Sequence, residues 1–208
     1  METAPGRAGW PSPFSYFCVP LLLRIPRCNS EETRTNVGAL KSNGGSNMPY
    51  LHVRMEQGAI LPRPCAAFTG ISTHGISPCT GLAIVTAGSV FLGHIPPPPG
   101  AAHWDQMLAW RDRYKEMIDD ALASMVGAIQ QVVIISPDTA EEMPNGGPTL
   151  INNTLNTLYG LHPVRVIGNG VTVNAATGVV APRNNALPLG QYTEVDWGDT
   201  TQNWVIMN

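Results

Sequence analysis

The chain has 208 residues, 43% of them apolar and only 13% charged, with a net charge of −3. That length supports one domain with a substantial core, and the weak, scattered positive charge excludes an electrostatic footprint for nucleic acid. No stretch reaches the roughly 20 apolar residues needed to span a bilayer, so neither nucleic acid nor a membrane is an expected partner.

Residues 1–47 are rich in Pro, Gly, Ser and Asn and show neither helical nor strand periodicity, ending in Ser42-Asn43-Gly44-Gly45-Ser46-Asn47. They read as a disordered or mis-started leader, with Met48 opening the folded region at 48–208. Phe14 to Leu23 has the apolarity of a signal-peptide core, but Pro20 interrupts it, only Arg7 lies upstream as positive charge, and no A-x-A-like cleavage site follows.

From Met48 onward the elements follow in order. Tyr50 to Met55 and Ala66 to Ile71 are short strand candidates. Thr80 to Thr86 and Ser89 to Ile95 are two apolar runs separated by Ala87-Gly88, a hairpin pattern. Pro96 to Pro99 is a stiff connection that admits neither ladder nor helix. Asp105 to Ala128 places Leu108, Arg111, Tyr114, Met117, Ile118, Ala121, Leu122 and Met125 at three-four spacing, an amphipathic helix with Asp105 near its positive end. Gln131 to Ser136 is a Val/Ile run typical of a buried central strand.

A turn over Pro144 to Pro148 leads to a short helix with Ile151, Leu155 and Leu158 on one face and Gly160 as its C-cap. Val164 to Ile167, Val171 to Asn174 and Gly178 to Ala181 close the pattern as strands, joined by Gly168-Asn169-Gly170 and by Ala175-Ala176-Thr177-Gly178. The fold class expected is α/β, a sandwich of a mixed, mainly antiparallel sheet with two helices. The tail beyond it, with Val195, Trp197 and Trp204, reads as folded back over the core or as a strip for a partner.

The cysteines are Cys18, Cys28, Cys65 and Cys79, and their spacing fits no zinc template. Reduced thiols in a cytoplasm are the simplest reading. Among them Cys79 stands out through the hairpin. With a two-residue loop, paired residues sum to 175, so His94 lies opposite Gly81 and Cys79 sits diagonally on the same face. Such diagonal neighbours are about 7–8 Å apart, within reach of a thiol and an imidazole. A three-residue loop would put them on opposite faces. Gly81 opposite His94 suggests an opening for a substrate.

An imidazole beside a thiol can take its proton and create the nucleophile, and a third polar group, Thr73, Ser72 or Ser77, would orient it. The bland reading is a packed core cysteine beside a strand-end histidine. His52, His74 and His103 are rival partners, while His162, before Pro163, reads as a turn residue.

The stretch Thr73-His74-Gly75-Ile76-Ser77-Pro78-Cys79-Thr80-Gly81, with Leu92-Gly93-His94-Ile95 after it, resembles the core of the bacterial glutamine deamidases related to CheD. That superfamily includes the catalytic domain of cytotoxic necrotizing factor and the Burkholderia lethal factor. The resemblance spans about residues 66–182 and implies Cys79 as nucleophile, His94 as base and Thr73 as orienting residue. Pro78 departs from the small residue usual before the cysteine. The activity implied is cysteine-dependent conversion of a protein glutamine to glutamate, without a cofactor or metal. A monomer would act on a partner protein in the producing bacterium's cytoplasm or, as a toxin or effector, in a host cell. The alternatives are another cysteine amidase or esterase, or a non-catalytic binding domain of the same fold.

Overall fold

The computed structural model describes residues 48–99, 103–137 and 146–194, with the side chain of Trp104 left aside. The leader at 1–47, Glu141 and Glu142, Pro144 of the expected turn, and the tail carrying Val195, Trp197 and Trp204 lie outside the described residues.

Ten strands and two helices follow one another as β1 (Tyr50–His52), β2 (Gly58–Pro62), β3 (Gly70–His74), β4 (Thr80–Thr86), β5 (Ser89–Ile95), α1 (Trp104–Ser124), β6 (Ile129–Ser136), α2 (Gly147–Tyr159), β7 (Val164–Ile167), β8 (Gly170–Asn174), β9 (Val180–Arg183) and β10 (Tyr192–Glu194). They form two five-stranded sheets, ordered β10-β1-β3-β8-β9 and β2-β5-β4-β6-β7. The α/β sandwich expected from the sequence is therefore present, but with two mixed sheets in place of one. Parallel pairs occur at β1–β10, β1–β3 and β6–β7, and the other pairings are antiparallel.

Strand alternation divides the interior into two layers. Leu51, Val53, Ile71, Ala83, Val85, Val90, Leu92, Val133, Ile135, Val171 and Val173 fill the space between the sheets. The intervening residues of the second sheet, among them Leu82, Ile84, Phe91, Val132 and Ile134, pack instead with Trp110, Tyr114, Met117, Ile118 and Ala121 of α1 and Ile151 and Leu155 of α2. Both helices thus cover the outer face of the second sheet. Along α1, Tyr114, Met117, Ile118 and Ala121 are buried as expected, Trp110 joins them, and Arg111 alone of the expected stripe's core faces solvent. Leu158 is likewise exposed, leaving Ile151 and Leu155 as the buried face of α2.

Where the strands differ from expectation, local chemistry gives the reason. The expected strand at Ala66 to Ile71 is displaced to β3, which begins at Gly70. A Cβ there would lie 1.9 Å from the Val173 carbonyl oxygen, so only glycine permits β8 to approach this closely. The last strand of the β8–β9 hairpin starts at Val180, not Gly178. Asn174 Oδ1 accepts from the Ala176 and Thr177 amides, and Gly178 takes φ 73°, so the turn consumes the residues assigned to the strand. Pro148 lies inside α2, at its first turn, where a missing N–H costs nothing.

No described helix is long and apolar enough to cross a membrane.

Gly70→Ala should destabilise the fold by about 3 kcal/mol or more, because backbone must move. Urea unfolding reads the effect, and a loss below about 0.5 kcal/mol would show that the close β3–β8 approach is not required.

Candidate active site

The β4–β5 register decides whether Cys79 and His94 can meet. Thr80 pairs with Ile95, Gly81 with His94 and Val85 with Val90, the register that a two-residue Ala87-Gly88 loop predicts. Cys79 immediately precedes β4 and packs in the inter-sheet layer with Ala83 and Val85. His94 follows the inward-facing Val90 and Leu92 by strand period, and its ring is bonded across the layer to the other sheet. Both residues therefore face the space between the sheets.

Thr73 of β3 supplies that bond. Its Oγ1 lies 2.8 Å from His94 Nδ1 and 2.7 Å from the Val53 carbonyl oxygen. The threonine has one hydroxyl proton, and a carbonyl can only accept. Thr73 must therefore donate to Val53, and His94 Nδ1–H must donate to Thr73. This network assigns the Nδ1–H tautomer and leaves the Nε2 lone pair available. Nε2 is buried and has no hydrogen-bond partner, so thiol and imidazole face the same layer and are not hydrogen-bonded to each other. Of the three candidate orienting hydroxyls only Thr73 reaches the ring. Ser72 faces the opposite side of β3, 3.5 Å from His52 Nδ1. Ser77 is in an exposed loop, where its N–H donates to Asn169 Oδ1.

The rival histidines are accounted for in the same way. His52 and His74 stack on each other with ring centroids 4.3 Å apart, and both contact Tyr192 of β10. They sit on the outer face of the first sheet, away from Cys79. His103 is exposed at the N-cap of α1, and His162 is exposed with Nδ1 2.6 Å from Asn156 Oδ1. Among the described residues no group of three or more His, Cys, Asp or Glu is arranged to hold a metal ion.

The electrostatics favour a neutral pair. Burial, with smaller contributions from His52 and His74, lowers the His94 pKa to about 4. Burial also pushes the Cys79 thiol up, and the charge of Glu56 adds to this. At rest the site holds a thiol and an uncharged imidazole, not a thiolate–imidazolium pair.

The opening expected over Gly81 is absent. A Cβ there would touch Ile76 Cδ1 and Ile135 Cβ at 3.4 Å each, because β6 places Ile135 directly across from Gly81. Cys79 itself is only 4% exposed. In the loop before it, Gly75-Ile76-Ser77-Pro78, Ile76 plugs the same apolar cluster and is fully buried, whereas Ser77 and Pro78 are exposed. Asn169 pins this loop, accepting from the Ile76 and Ser77 amides. Sequence reasoning missed three contributors: the Val53 carbonyl, the Ile76 plug and Glu56. A main-chain acceptor carries no residue signal, and an isoleucine near a cysteine reads as core.

Two predictions follow from this geometry. Unfolded histidines take protons near pH 6.5, whereas His94 and His52 in the folded chain do so only near 4. The unfolded state therefore binds more protons inside that window, and stability should fall as pH drops through it. A His52→Gln/His94→Gln variant should show a flatter loss in urea midpoints between pH 7 and 4.5, and an unchanged slope would refute the assignment. Removal of the plug by Ile76→Ala should cost about 2–5 kcal/mol and raise iodoacetamide labelling of Cys79, with Cys65 as internal reference, by about tenfold. Equal acceleration at both thiols would mean global loosening instead.

No protein-family model matches the chain and no curated protein matches it.

Proposed function

We propose that the chain is a cysteine-dependent amide hydrolase, and specifically a protein-glutamine deamidase, with Cys79 as nucleophile, His94 as base and Thr73 as the residue that orients His94. The observation that carries this reading is the His94 ring, fixed at Nδ1 by Thr73 with a buried, unpartnered Nε2 on the face that Cys79 shares. Buried nitrogens without partners are uncommon because each forfeits about 1–3 kcal/mol. A base awaiting the proton of a thiol or a leaving group accounts for this one.

The chemistry runs in two halves. Cys79 Sγ attacks the side-chain amide carbon of a protein glutamine as its proton passes to His94 Nε2. A C–S bond forms and the carbonyl becomes an oxyanion. His94 then protonates the amide nitrogen, ammonia departs, and a thioester is left. Water, losing a proton to Nε2, attacks that thioester. The C–S bond breaks, sulfur regains its proton, and glutamate is released. Burial of both groups favours a proton transfer that accompanies attack over one that precedes it. The resemblance to the CheD-like deamidases supports glutamine over other acyl substrates, whereas an amidase or esterase would use the same residues. A toxin or effector role, and the location of the target, belong to that same proposal.

A second reading rests on one specific observation. Cys79 is 4% exposed among apolar side chains and its thiol is raised by burial, as in a binding domain that uses it only for packing. One experiment separates the two. Cell lysate incubated with the wild type should show Gln-to-Glu conversion, a mass gain of about one unit, in a defined protein. Cys79→Ser and His94→Gln should lose this activity by about a hundredfold or more. Thr73→Ser should retain most of it, and Thr73→Val should lose much of it with a smaller loss of stability, about 1–3 kcal/mol. Conversion that survives Cys79→Ser, or none with the wild type, would leave the packing role.

A further inference from the structure

β9 and β10 are the two edges of the first sheet and run in the same direction, so the chain between them crosses the whole sheet. The inner face is packed against the second sheet, which leaves the outer face for the crossing. Residues 184–191 make it. Four strand spacings and a return of about four residues amount to about 23 Å. With the climb over side chains, that uses most of the roughly 30 Å such a stretch can span. The segment is a taut strap.

Little holds this strap down. Among the described residues no main-chain hydrogen bond joins residues 184–190 to the sheet, and only at its end does the Tyr50 N–H donate to the Gln191 carbonyl at 2.8 Å. Leu187 is its one buried side chain. The outer face beneath is polar: His52, Ser72 and Thr172 form one row across β1, β3 and β8, and all three are buried. Where the strap ends, Tyr192 of β10 rests on two stacked rings. Its centroid lies 4.9 Å from that of His52 and 5.7 Å from that of His74, and the two histidines are 4.3 Å apart. A three-residue parallel edge strand is a weak attachment, so this ring cluster and the exposed Glu194–Arg54 ion pair fasten it.

We propose that the strap and the ring cluster form an acid-sensitive latch, with the strap and β10 closed over neutral His52 and His74 and released when the pair takes up protons. The latch is independent of the reading of Cys79. Charged imidazoles stacked at this distance repel each other, and a buried His52 has no water to solvate its charge. The other titratable and charged groups facing the pair are Tyr50 on β1, Arg54 after it, and Tyr192 and Glu194 on β10. Arg183 on β9 lies beyond Gly170 in the row of His74, and neither β8 nor the strap carries an ionisable side chain. Glu194 alone favours a charged pair, and Arg54 engages it. Burial first, then His74, lowers the His52 pKa to about 4, whereas a ring bared by an open strap returns towards about 6.5. The open form therefore binds the proton more tightly within that window, and opening gains as pH falls through it.

Hydrogen–deuterium exchange of the full chain tests the latch, with rates corrected for the pH dependence of unprotected amides. The β10 amides should open well before those of β4 and β5. Between about pH 7.5 and about pH 5 their opening constant should rise about 30-fold. His52→Phe keeps an aromatic ring against His74 and Tyr192 and should abolish most of that rise. Leu187→Ala should raise the opening constant at both pH values and leave their ratio unchanged. A wild-type rise that persists in His52→Phe overturns the proposal. So does a single opening constant shared by β10 and β4–β5 at both pH values, because β10 would then leave only with global unfolding. That comparison needs no variant, and it decides even where His52→Phe fails to fold.

Discussion

The Thr73 hydroxyl joins the two sheets at the one point where chemistry is proposed. It receives the His94 Nδ1 proton from β5 and gives its own to the Val53 carbonyl after β1. Three chain segments from both sheets are therefore fixed relative to one another inside an otherwise apolar layer. In low dielectric such a bond is strong if complete and costly if broken. The sheets cannot slide by a residue without stranding a hydroxyl, a ring N–H and a carbonyl. The β1–β3 pairing supports the same point, because Val53 N–H donates to the Ser72 carbonyl at 2.8 Å, next to Thr73.

From that bond the electrostatics of the site follow. A ring with its Nδ1 proton committed can gain charge only at Nε2, which no described protein group hydrogen-bonds. Burial therefore opposes the imidazolium, while the burial of Cys79 opposes the thiolate. Each group alone is a poor player, but in the proposed reaction transfer between them would cancel part of both penalties, since a cation and an anion would arise on one face. The arrangement suits a thiol activated only when an acyl carbon is present to receive the electrons. It does not suit a free thiolate exposed to oxidants. Ile76 and the Asn169 clamp add to the dryness of this layer, one as a fully buried side chain in the Cys79 cluster and the other by fixing the loop before Cys79.

The hairpin was legible because period and loop length are written locally. Two apolar runs and a two-residue Ala87-Gly88 turn fix the β4–β5 register, and with it which residues share a face. The Val/Ile run of β6 and the glycine cap of α2 were legible for similar reasons. The long-range pairings were not. β10 has three residues and joins β1 in parallel, so its existence depends on a partner some 140 positions away, Tyr192 meeting Tyr50. β2 is bounded by Gly58 and Pro62 and buried on both faces along most of its length, so it lacks the alternation that announces a strand. Gly81 misled for a related reason: its opposite neighbour on β5 was predictable, but its other neighbour, Ile135, comes from β6, and that contact fills the gap.

The burial of Cys79 alone does not decide between a packed thiol and a nucleophile, because a proposed nucleophile shielded by a loop is buried too. The support for a proposed nucleophile lies in the imidazole. A core that needed only shape could place a leucine or methionine at position 94, with no orphaned nitrogen and no proton uptake near pH 4 to oppose stability in acid. Instead the chain spends a threonine and a main-chain carbonyl to hold one ring with its lone pair unpaired. Polar groups oriented at such expense in a dry layer do nothing for stability that apolar residues would not do better. That expense is why the Cys79–His94 face is the part of the molecule to which a chemical role is assigned.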